Sequence, residues 1–125
     1  MGSGTLPPAV RERLATSTAQ LNGREYCLST HTFIGANVAK IEATELDSAR
    51  RGSSADPRVA ALLELSNAIA QNVGDVDEAN IKVARDAGVT EEEIGEGVAN
   101  LALNILTNYF NVVARTENEF PLVSL

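Results

Sequence analysis

Apolar side chains recur along this chain at intervals of three and four, the spacing of one face of an α-helix, and turn residues punctuate the runs. From Thr5, "TLPPAVRERLATSTAQLNG" offers a capping hydroxyl, prolines in the first turn, and Val10, Leu14 and Leu21 at helical spacing before an Asn-Gly stop. This predicts a first helix ending near Leu21. A second is expected from about Tyr26 to Ala39, where Cys27, His31, Ile34 and Val38 recur at intervals of four, three and four and so share one face. "TELDSARRG" reads as a short third helix closed by Gly52. Asp56 followed by Pro57 marks the start of a fourth, because the carboxylate can cap free amides and proline suits the first helical position. Val59, Leu62, Leu63, Ile69 and Val73 mark its buried stripe and Gly74 its end. "DEANIKVARDAG" predicts a fifth helix, finishing at Gly88 where a left-handed residue is wanted.

The last segment, "TEEEIGEGVANLALNILTNYFNVVAR", opens with Thr90 and Glu93 at capping-box spacing and an acidic first turn that complements the helix dipole. Between Glu96 and Arg115 lie eighteen residues without a charge. A helix apolar on almost every side is expected to be buried all round. Two arrangements would do this: a central helix shielded by its five neighbours, or one covered in part by another subunit. Asn100, Asn104, Thr107, Asn108 and Asn111 form a polar stripe that argues against a membrane span. With no alternating strand pattern and no repeat, the expected fold class is all-α, about six helices in a single domain over residues 5–125.

Composition narrows this further. A chain of 125 residues suits one core, and with two Tyr, three Phe and no Trp that core must be packed by aliphatic side chains. A net charge of -7 argues against a grip on nucleic acid or on an anionic membrane. One cysteine cannot close an intrachain disulfide, so a cytoplasmic protein is expected. The opening "MGSGTLPP" lacks the basic start and apolar run of a secretory signal, and residues 1–4 are set apart as a cloning remnant or disordered end.

Candidate chemistry concentrates in "NGREYCLSTHT", residues 22–32, which holds the one cysteine and the one histidine of the chain. Cys27 and His31 stand one turn apart on the same helix face. Cys27 also lies in the first turn, where free amides and the dipole favour an anion, so a lowered thiol pKa and a nucleophilic thiolate are expected. The alternative is a small apolar filler, with Ile34 and Val38 continuing the same face into a core. A histidine that takes a proton from sulfur works better when a carboxylate holds its other nitrogen. Glu12 and Glu25 are the nearby carboxylates, and spacing alone does not choose between them. Zinc wants three or four ligands where this pair offers two, so a metal site would have to be shared across subunits. No Gly-rich phosphate loop, serine elbow or HExxH motif points to a cofactor.

The same residues carry a resemblance to a known family. "NGREYCLSTHT" is similar to N-G-C-x-Y-C-x-x-x-H-T, the hallmark at the start of a helix in the alkylhydroperoxidase D-like proteins of the carboxymuconolactone decarboxylase superfamily, and departs from it at the first cysteine, where Arg24 stands. "SARRGSSADPRVAALLELSNAI" and "VANLALNILTNYFNVVARTENEFP" resemble later segments of that family, so the likeness runs from about Thr5 to Val123. The resemblance implies that Cys27 reacts with peroxide, that His31 takes part in a proton relay anchored by Glu12, and that Tyr26 neighbours the relay. It also implies a homo-oligomer, a trimer or hexamer, assembled through the helix at 97–114. Longer relatives carry an additional N-terminal helical segment, and Val112 stands where a histidine often follows "NYFN".

The family's cycle closes with a disulfide that Arg24 cannot form. The resemblance then implies a Cys27 stabilised as thiolate by Arg24, oxidised to a sulfenic acid and resolved by an external thiol reductant. Three functions stand side by side: a thiol peroxidase acting on a small hydroperoxide, an acid–base enzyme in which His31 and Glu12 act on a small organic acid or lactone, and a catalytically silent helical oligomer serving as scaffold.

Overall fold

Prolines at 7 and 8 open the first helix, Asn22 and Gly23 close it, and the segment between them becomes the middle of the molecule. The computed structural model describes residues 4–117 and 120–125. In it α1 spans Pro8–Leu21, α2 Glu25–Asn37, α3 Ala43–Arg50, α4 Pro57–Gln71, α5 Glu78–Asp86 and α6 Glu91–Ala114, with no strand among the described residues. The all-α, six-helix expectation holds. The expectation that residues 1–4 stand outside the fold concerns, for residues 1–3, positions outside those described.

Thr5, expected to cap α1, lies two residues before the actual cap position, Pro7, where no side chain caps the helix, and its hydroxyl donates to Glu96 instead. The start signals of α4 and α6 act as the sequence suggests. The Asp56 carboxylate accepts from the amides of Arg58 and Val59, and such a cap contributes about 1 kcal/mol. Thr90 and Glu93 form both halves of a capping box. Gly88 takes the left-handed conformation, φ +96°, that lets the chain leave α5. Glu93 is buried and also receives Arg58. Burial opposes its charge, but the Thr90 donors and the guanidinium outweigh burial and hold its carboxyl below the usual range.

α1 packs against α2, α3, α4 and α6, so it, rather than the charge-free α6, is the central helix. Its buried middle consists of Leu14, Ala15, Thr16, Ser17, Thr18 and Ala19. Hydroxyls survive there because they are bonded: Thr16 Oγ1 donates to the Glu12 carbonyl at 2.8 Å, Thr18 Oγ1 to that of Leu14 at 2.9 Å, and Ser17 Oγ to Asn67 Oδ1 at 3.1 Å. Helix periodicity missed these positions because it counts apolar residues, whereas a back-bonded threonine presents its methyl. Leu21, expected on the buried stripe, is exposed at the end of the helix.

Two other stripe assignments stop one turn early. Val38 is exposed as the residue after α2. Val73 is almost wholly exposed, and it turns left-handed at φ +54° beside Gly74 at φ +87°, so the α4 stripe ends at Ile69. Between α2 and α3, a methyl group on Gly35 would come within 2.8 Å of Leu46 Cδ2, so a larger residue there would have to displace the Leu46 side chain.

α6 is not buried all round. Its inner side packs on α1, α4 and α2. Asn100, Asn104 and Asn108 lie on that inner side at 5%, 8% and 1% exposure, whereas Leu106, Phe110 and Val113 stand outside at 63%, 66% and 83%. The polar stripe faces in and an apolar side faces out. No helix among the described residues is long and apolar enough to cross a membrane.

The core divides in two. The larger part gathers Leu6, Val10, Leu14, Leu62, Leu63 and their neighbours between α1, α4 and the ends of α5 and α6. A smaller cluster holds Ala19, Cys27 and Leu28, with Tyr26 and Val123 packed against it. The C-terminal segment lies over this second cluster: the Val123 amide donates to Ser29 Oγ at 2.9 Å, and the Phe120 ring sits 5.3 Å from that of Phe33.

Candidate active site

Asn22 and Gly23 turn the chain sharply, so α2 starts against the C-terminal half of α1, its second and third residues being Tyr26 and Cys27. No side chain caps this end of α2, which leaves its first amides free to face a polar or anionic group. His31 follows one turn after Cys27. Its Nδ1 lies 2.7 Å from Glu12 Oε2, a contact in which each side chain keeps about a fifth of its surface exposed (22% and 20%). Glu12 stands on α1, seven residues before Ala19, which packs against Cys27. Of the two carboxylates open from the sequence, Glu12 reaches the imidazole, while Glu25 stays exposed.

With Nδ1 engaged, Nε2 is the nitrogen left for the cavity that His31 lines. This cavity, about 300 Å³, is bounded by Tyr26, Cys27, Thr30, His31, Leu103, Asn104, Thr107 and Asn111. A second cleft of about 370 Å³ is lined by Gly23, Arg24, Glu25, Tyr26, Cys27, Asn108, Asn111, Val112, Arg115, Thr116 and Leu125. Tyr26, Cys27 and Asn111 belong to both. The sulfur therefore sits in a partition between a histidine-bearing cavity and an arginine-bearing cleft.

Cys27 itself is 3% exposed. Burial pushes its thiol up, against the lowering pull of Asn111 Nδ2, which donates to Sγ at 3.5 Å, and of the Arg24 guanidinium. The expected lowered thiol pKa is thereby corrected: the helix start and the nearby charge are both in place, and desolvation outweighs them. Among the described residues no hydrogen bond joins Cys27 directly to His31. Ionising the thiol thus requires a base at hand or a substrate that brings its own polarity.

Asn111, Asn108 and Arg115 contribute to the site without having been singled out from the sequence. For the two asparagines the signal was the amide stripe of α6, whose four, four and three spacing aims it at one neighbour, and Arg115 follows one turn on as the residue that closes the helix. Among the described residues no three His, Cys, Asp or Glu side chains come together as metal ligands.

The described fold is shared with a solved structure. An uncharacterized peroxidase-related protein from Silicibacter sp. TM1040 superposes with a TM-score of 0.80 at 17% identity, over 98% of this chain and 63% of that one. The likeness is one of fold. This chain spans less than two thirds of that protein's length. No protein-family model and no curated protein matches the sequence.

Proposed function

We propose that this chain is an alkylhydroperoxidase D-like thiol peroxidase of the one-cysteine kind, in which Cys27 reduces a small organic hydroperoxide with His31 and Glu12 in support. The observation that carries this reading is the 2.7 Å contact between Glu12 and His31 on a cavity whose floor includes Cys27. Because burial raises the thiol pKa, the thiolate forms when imidazole Nε2 takes the proton, and Glu12 stabilises the imidazolium that results. The sulfur attacks the terminal oxygen of the hydroperoxide. An S–O bond forms, the O–O bond breaks, and the departing alkoxide recovers the proton from His31 and leaves as alcohol. Sulfur is oxidised to a sulfenic acid and the peroxide is reduced.

The fold of a peroxidase-related protein supports the reading, as do the sequence hallmarks around Cys27 and His31. Treatment with one equivalent of cumene hydroperoxide, followed by intact mass with a sulfenic-acid trap, tests it. Trap addition at Cys27 is expected, and a Cys27 that gains neither oxygen nor trap removes the peroxidase.

A second reading is favoured by the raised thiol pKa, since acid–base work on a small organic acid or lactone needs no thiolate. Activity that persists in Cys27→Ser and disappears in His31→Ala would select it. In either case a second copy of the chain covers the apolar outer side of α6, on which Leu106, Phe110 and Val113 stand exposed on successive turns. Native mass of the intact protein tests that assembly.

A further inference from the structure

The arginine-bearing cleft has a chemistry of its own. In this chain of net charge -7, Arg13, Arg51, Arg58, Lys82 and Arg85 pair with carboxylates, and Arg11 and Arg50 donate to carbonyl oxygens. Arg24 and Arg115 do neither among the described residues, and both line the cleft beside Cys27. Arg24 Nε is buried without a hydrogen-bond partner there. So is Nδ2 of Asn108, a side chain 1% exposed that lines the same cleft. A buried donor without a partner is costly, and the Asn108 amide together with the Arg24 and Arg115 guanidinium groups, unpaired among the described residues, describes a place for an oxyanion. Glu25 at the mouth is the one opposing side-chain charge among the lining residues, and it is exposed.

Val112, Tyr26 and Leu125 supply apolar wall next to these donors. That suits a small carboxylate with a short apolar body better than a bare inorganic anion. The sequence holds a single cysteine, so a sulfenic acid at Cys27 has no partner thiol among these 125 residues.

We propose that the Arg24–Arg115–Asn108 cleft docks the carboxylate of a small acidic thiol, which resolves oxidised Cys27 from that cleft rather than from the cavity lined by His31. This rests on the peroxidase reading. In the step, the thiol sulfur attacks the sulfenic sulfur, an S–S bond forms, and the S–O bond breaks. The hydroxide leaves as water with the thiol's proton, the sulfenic sulfur being reduced and the incoming sulfur oxidised. A second thiol then displaces Cys27 as free thiol and leaves as the small disulfide.

The test compares 3-mercaptopropionate with its uncharged amide on peroxide-oxidised protein, each rate divided by that thiol's rate with a small model disulfide. The acid is expected to be faster by about tenfold, the scale of one charge-assisted hydrogen bond. Arg24→Gln and Arg115→Gln should each lose most of that preference with unchanged circular dichroism, and Glu25→Gln should increase it. Equal rates for acid and amide, or a preference that survives the double arginine variant, overturn the proposal.

Repeating the comparison on the Cys27 mixed disulfide with 2-thiopyridine, made without peroxide, separates the two ideas. Acid preference there with no sulfenic acid under peroxide overturns the resolving role together with the peroxidase reading and leaves only an anion cleft. Sulfenic acid with no acid preference overturns the docking proposal and spares the peroxidase. A Cys27 that takes up neither oxygen nor thiopyridine overturns both.

Discussion

Replacing Asn108 by leucine should make the protein more stable. Asn108 is 1% exposed in the inner row of α6, and its Nδ2 has no hydrogen-bond partner among the described residues. Leucine branches at the same carbon and carries no donor to leave unpaired, so the substitution removes a penalty of about 1–3 kcal/mol. Fitting the slightly larger side chain opposes this by an amount of about 1 kcal/mol. The net expectation is a gain of about 1 kcal/mol or somewhat more. For a chain of 125 residues, the entropy of unfolding converts 1 kcal/mol into about 4 °C. Urea unfolding followed by circular dichroism, with the slope m unchanged between variants, measures the gain directly. The same substitution should weaken the preference for an acidic thiol, since it deletes a donor of the cleft. A loss of stability of 1 kcal/mol or more would refute the reasoning, because it would mean that the amide is satisfied within the fold and is not held open for a ligand.

The rate of Cys27 alkylation against pH should show a thiol midpoint above that of a free cysteine, since burial raises it. Asn111→Ala should move the midpoint higher still by removing the amide that favours the thiolate. His31→Ala should slow oxidation of Cys27 by hydroperoxide by roughly a hundredfold or more, the usual range for a lost acid–base group. Stopped-flow consumption of peroxide gives the rate, and an unchanged value rules out the relay. Thr90→Ala should lower stability by about 1 kcal/mol through loss of the α6 cap, read as a shift in the urea midpoint. Glu93, whose carboxyl is held below the usual range, contributes stability that is complete above the ordinary carboxylate pKa and is lost as pH falls through its lower folded value. Glu93→Gln should therefore flatten the acid limb of a stability profile below about pH 4.5, and a limb of unchanged slope counts against that role. Phe110→Glu should reduce the native mass to that of one chain if the outer side of α6 is an interface.

Local chemistry makes the six helices readable from the sequence. Asp56, Thr90 with Glu93, Gly88 and the paired prolines act within one turn of themselves, so each start or stop signal is complete wherever it occurs. The spacing of Cys27 and His31 on one face is equally a property of the helix alone. What the sequence left open needed a neighbour to decide it. Spacing did not choose between Glu12 and Glu25, the family resemblance named Glu12, and the packing of α1 on α2 is what brings Glu12 to the imidazole. The pKa of Cys27 went the other way from its local signals, because desolvation depends on what α6 and the C-terminal segment cover. The orientation of α6 was hidden for a related reason. Periodicity shows that an amide stripe and an apolar side exist, but which of them faces inward depends on whether α1 offers a hydroxyl-lined or an aliphatic surface and on where the site needs donors. Sequence determined the helices and the residues capable of chemistry; tertiary contact decided which carboxylate reaches the histidine, how hard the thiol is to ionise, and which side of the last helix is left exposed.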